Sequence, residues 1–85
     1  MKNNSLTPFS KEDTETLLGA RVRKLVLEEA NPSVRIGQIG TVIKYEEADL
    51  TDGYAIEVDW GDNETWVYEC KAGFEEDVEV LPDSR

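Results

Sequence analysis

The sequence contains no histidine and only one cysteine, Cys70. Without imidazole the usual zinc ligand sets cannot be assembled, and a single thiol cannot close an internal disulfide. Both absences fit a reducing compartment, so a cytoplasmic location is expected. No apolar run approaches the ~18 residues needed by a membrane-spanning helix. The opening residues, MKNNSLTPFSKED, also lack an apolar stretch of about 7–15 residues, so no secretory leader is expected. Basic residues are scarce in one half only. Residues 46–85 hold 14 acids against two bases, Lys71 and Arg85, whereas residues 1–45 hold 5 acids and 7 bases, and the net charge of the chain is −10. A negative half repels nucleic acid and anionic membranes and favours a basic partner. Acidity can equally serve only to keep a small domain in solution.

The missing histidine also bears on catalysis. A general base working near neutral pH would have to be a carboxylate or lysine displaced by burial, yet runs such as Glu46-Glu47 and Glu75-Glu76-Asp77 read as solvated surface. Cys70 lies between Glu69 and Lys71, whose opposite influences on a thiolate argue for no activation. The glycine pair in GQIG precedes a strand and lacks the lysine of a phosphate-binding loop, which leaves Gly37 and Gly40 as suppliers of turn dihedrals. The segment EEADLTDG offers Glu46, Glu47, Asp49 and Asp52 in a spacing that does not match a calcium loop. The expectation is no catalytic residue, no metal, no cofactor and no small-molecule substrate.

With 85 residues the chain holds one domain with a modest core. Residues 1–9, with Asn3, Asn4, Ser5 and Pro8, read as a flexible tail. Ser10, followed three residues later by Asp13, has the form of a capping box, predicting a short helix over 10–18 that closes at Gly19. From there to residue 82 the pattern is of short β-runs, and 83–85 form a second tail. The runs are 20–27, with mixed parity that suggests a bend; 39–46, with Ile39, Ile43 and Tyr45 on one face and Val42 on the other; 54–60; 64–70; and 78–81, stopped by Pro82. The third alternates cleanly, Tyr54, Ile56, Val58 and Trp60 sharing one face. "KAGFEED" between the last two reads as a turn.

The hairpin VDWGDNETWVYE admits two registers. A three-residue turn, Gly61-Asp62-Asn63, pairs Val58 with Trp66 and Ile56 with Tyr68, so that Trp60, Trp66 and Tyr68 become core aromatics. A two-residue turn, Asp62-Asn63, slips the strand by one and turns Trp66 and Tyr68 outward. Burying two aromatics, each about 150–250 Å² at ~25 cal/mol per Å², is worth several kcal/mol, which favours the first register.

Five short strands make a five-stranded SH3-like barrel with a short N-terminal helix the economical mainly β architecture. The motifs GARVRKL, GQIGTVIKY, IEVDWGDN and EEDVEVL, in that order over Gly19–Leu81, resemble the small SH3-like barrels of prokaryotes and phages, and are similar to KOW-like and mind-bomb/HERC2-like modules. The hairpin departs from that pattern at Trp60-Gly61-Asp62-Asn63, where Asn63 is suited to take the left-handed position. The resemblance implies a binding or accessory domain without catalysis. Three expectations about function follow. The first is a non-enzymatic protein-interaction domain with an acidic face for a basic partner surface, using Glu46, Glu47, Asp49, Asp52, Glu57, Asp59, Asp62, Glu64 and Glu69, with Tyr45, Tyr54 and Phe74 as exposed anchors. A phage-type inhibitor whose carboxylates imitate DNA phosphates is the second. The third is a nucleic-acid-binding barrel using Arg21, Arg23, Lys24, Arg35 and Lys44 as a basic stripe, which the negative half disfavours.

Overall fold

The computed structural model describes residues 7–48 and 52–82. The helix α1 (Lys11–Leu17) begins where the sequence places it. The Asp13 amide donates to Ser10 Oγ at 3.0 Å, and the Ser10 amide donates to Asp13 Oδ2 at 3.0 Å. This reciprocal box satisfies two of the orphan donors at the helix start. It also holds the Asp13 carboxyl below its ordinary range, chiefly through the Ser10 N–H. Gly19, at φ +85°, turns the chain out of the helix.

Five strands follow: β1 (Arg21–Lys24), β2 (Ile39–Glu47), β3 (Tyr54–Gly61), β4 (Glu64–Tyr68) and β5 (Val78–Val80). They form one antiparallel sheet in the order β4-β3-β2-β1-β5, and a second helix, α2 (Lys71–Asp77), precedes β5. The fold is mainly β, and the sheet is not closed: among the described residues no ladder joins β4 to β5. The core gathers Phe9, Val22, Val34, Val42, Ile56, Val58, Trp60, Phe74 and Val78.

Several local differences from the sequence reading have definite causes. The first strand stops at Lys24 instead of reaching residue 27; the Leu25 amide donates to Asp77 O, and Leu25, Val26 and Leu27 are exposed. The irregularity expected there lies in β2, where the ladder to β3 shifts between Val42 and Lys44. Ile43 is the extra, exposed residue, so the parity flips and both Val42 and Tyr45 reach the core side, while Ile39 stays exposed. Gly37 does occupy a left-handed position, at φ +89°, but Gly40 is a packing position. A Cβ there would lie 2.7 Å from Trp60 Cε3 and 2.8 Å from Val58 Cγ1, so only hydrogen fits beneath the indole.

Phe9 departs from the loose tail expected over 1–9. It exchanges two backbone hydrogen bonds with Tyr54, at 3.2 and 3.1 Å, and its side chain is buried. In place it takes the position beside β3 that β4 vacates after Tyr68. The segment expected as a turn before β5 is the helix α2, and it carries Phe74 into the core. Phe74 therefore cannot serve as an exposed anchor: its ring meets Phe9 and Tyr68 edge-on, at centroid distances of 5.5 and 5.3 Å.

Candidate functional site

The hairpin of β3 and β4 settles the register. Val58 pairs with Trp66 and Ile56 with Tyr68, as the burial argument requires. The turn itself combines the two alternatives. Gly61 pairs with Glu64 across Asp62-Asn63, both at positive φ (53° and 65°), and the ladder shifts by one residue between Asp59 and Gly61. A tight two-residue loop of the type that needs two left-handed residues is thus joined to a bulge that restores the inward phase of Trp66. Trp60 is buried, while Trp66 and Tyr68, lying on the inner face of an edge strand, remain half-buried.

The acids expected to form one face are divided between the two ends of β3. Exposed Glu46, Glu47 and Asp52 stand at the β2–β3 end, beside half-buried Tyr45 and Tyr54, whose rings meet edge-on at 5.7 Å. Asp49 lies outside the described residues. Asp59, Asp62 and Glu64 stand at the other end, about 23 Å away at ~3.3 Å per residue. Several carboxylates already have local duties. Glu57 pairs with Lys44 at 3.5 Å, and Asp59 accepts from the Gly61 amide at 2.9 Å. Glu69 is half-buried next to α2.

Glu64 is the most engaged of them. Its Oε2 accepts from Trp66 Nε1 at 2.6 Å and from Asn31 Nδ2 at 3.3 Å, and Ser33 Oγ donates to Asn31 Oδ1 at 2.8 Å. The loop between β1 and β2 is thereby tied to the start of β4. These donors, the indole foremost, favour the charged form and hold the Glu64 carboxyl below its ordinary value. A depressed folded value means that the link is fully formed above the unfolded glutamate range and is lost as pH falls through the folded value. In an NMR titration the Trp66 indole N–H is expected to shift with a midpoint below the ordinary glutamate value. A midpoint at or above that value would show that the contact does not persist in solution.

Beneath Trp66 lies a polar group that the sequence reading misplaced. Lys24, assigned there to a basic surface stripe, is fully buried, in phase with Val22 on the inner face of β1. Its Nζ donates to Asp77 Oδ1 at 2.5 Å and to Val26 O, and sits 5.3 Å from the Trp66 ring centroid. The Tyr68 hydroxyl donates to the other oxygen, Asp77 Oδ2, at 2.6 Å. Burial pushes the Tyr68 phenol strongly up, and the hydrogen bond and charge of Asp77 add to it, so the hydroxyl stays a donor. The inward phase of residue 24 was the one signal in the sequence; Asp77 is too far along the chain for periodicity to link them.

Between β4 and the β1–β2 loop is an open groove of about 350 Å³, with Trp66, Val67 and Tyr68 on the strand side and Glu28, Ala30 and Asn31 on the loop side. Among the described residues no group of three or more acids or thiols converges to hold a metal ion, and no helix is long and apolar enough to cross a membrane. No family model matches the chain, and no curated protein and no solved structure matches it either.

Proposed function

We propose that this chain is a non-enzymatic protein-interaction domain of the SH3-like barrel type whose acidic half meets a basic surface on its partner. The strand order, with a helical turn before the last strand, supports that architecture even though the ladder is open. The observation that carries the functional reading is the unequal engagement of the charges. Arg23 is paired with Glu79 at 2.9 Å, Lys44 with Glu57, and Lys24 is buried against Asp77. Three of the five bases in the expected nucleic-acid stripe are thus neutralised by acids, whereas Glu46, Glu47, Asp52 and Asp62 stand exposed. Such a surface speeds encounter with a cationic protein and selects it over anionic competitors.

The test is capture of partners from a lysate of the source organism, identification by mass spectrometry, and a titration with the purified partner. The triple variant Glu46→Lys, Glu47→Lys and Asp52→Lys is expected to weaken that complex by about tenfold or more, and raised salt to weaken it in the wild type. Direct binding of DNA or RNA at about 150 mM salt, falling steeply as salt rises, would overturn the reading. Displacement of DNA from a captured DNA-binding protein would replace it with phosphate mimicry.

A further inference from the structure

We propose that the groove between β4 and the β1–β2 loop receives an extended, cationic segment of the partner, laid along the free edge of β4. This rests on the protein-interaction reading and gives it a location. β4 is one border of the sheet: β3 pairs with one flank, and among the described residues no strand pairs with the other. The main-chain groups of that flank are a template for strand addition.

The two borders of the sheet are not equivalent. β5 is three residues long, carries Glu79 on its exposed face and runs into Pro82, features that discourage added strands. β4 is five residues long, Glu-Thr-Trp-Val-Tyr, with neither lysine nor proline to protect it. An unprotected border on an acidic chain calls for an occupant, and the groove beside it, about 350 Å³, is of the size of a small ligand cleft, typically ≈300–1,000 Å³.

Charge selects that occupant. Among the described residues Glu28 is the one acidic side chain lining the groove, and Glu64 stands at the strand's start with its carboxylate shared between Trp66 and Asn31. Lys24, whose Nζ lies 5.3 Å from the Trp66 ring, is bound to Asp77 and Val26 O, so it neutralises neither carboxylate. Trp66 and Tyr68 offer half-exposed rings for the stem of an arginine or lysine. A second copy of this chain fits poorly, because it would bring a further net charge of −10 to the same border.

The experiment is an NMR titration of the labelled protein with a short peptide of alternating arginine and valine. Expected are shifts of the Thr65–Tyr68 amides, of Ala30 and Asn31 and of the Trp66 indole, with slowed amide exchange along β4. An alternating glutamate and valine peptide is expected not to bind, and methylating alternate peptide amides to abolish binding. Glu28→Lys, on an exposed loop position, is expected to weaken affinity by about tenfold with the melting temperature unchanged. Shifts confined to the Glu46, Glu47 and Tyr54 end would overturn this site while leaving the basic-partner reading intact. Equal binding of the acidic peptide, no binding of the basic one, or pairing of the free protein through β4 would also overturn it.

Discussion

Replacing Asp77 with alanine is expected to cost about 3–5 kcal/mol of folding stability. The Lys24 ammonium has no solvent access, and Asp77 is its one carboxylate partner among the described residues as well as the acceptor for the Tyr68 hydroxyl. Removing that carboxylate leaves a buried charge with one carbonyl among the described residues, Val26 O, and strips the half-buried Tyr68 hydroxyl of its acceptor. The loss is a large share of the 5–15 kcal/mol typical of whole domains. Lys24→Met is expected to cost less, because a thioether of similar length fills the same space and no buried ammonium is left behind. The Asp77 left behind keeps the Tyr68 bond and 19 % exposure of its side chain. Urea unfolding followed by tryptophan fluorescence distinguishes the two variants. Equal costs, or an Asp77→Ala loss below about 1 kcal/mol, would mean that the ammonium reaches water in solution.

The second large effect concerns Phe74. Phe74→Ala is expected to destabilise the fold by about 3–5 kcal/mol, through lost transfer energy and the cavity between Phe9 and Tyr68. Phe74→Leu, which keeps most of the apolar volume, is expected to lose markedly less. At temperatures where both variants remain folded, partner affinity should be unchanged. An exposed anchor behaves in the opposite way, losing affinity with stability intact, so one pair of measurements separates the two roles.

Phe74 also shows where local reasoning ended. "KAGFEED" contains a glycine and three acids in seven residues, which reads as a turn by composition. Its helical state comes from the ring at its centre, which is buried only because Phe9 and Tyr68 arrive from distant parts of the chain. Features governed by neighbours in sequence were legible: the capping box at Ser10, the inward phase of Ile56, Val58 and Trp60, and the pairing of Val58 with Trp66 once burial had to be satisfied. The candidate site was less legible. Charge counting marked the acids of the second half, but it could not show that Glu57, Asp59 and Glu64 have partners of their own, nor that the rest divide between two ends of one strand. Glu28 and Asn31 drew no notice because their significance lies in facing β4 across a gap.

The pairing of β1 with β5 has a further consequence for how the chain reaches this state. Glu47 and Tyr54 are paired across seven residues, whereas Arg23 and Glu79 are paired across 56. An eightfold longer span adds three doublings to the loop, about 2 kcal/mol of closure entropy. The meander from β2 to β4 needs only short turns; the encounter of β1 with β5, like that of Phe9 with Tyr54 and Phe74, has to close a long span, and such pairings slow folding. Lys24 and Asp77, 53 residues apart, fasten that same encounter. In a chain whose lone cysteine cannot form an internal cross-link, a buried pair of opposite charges holds the two ends of the domain together.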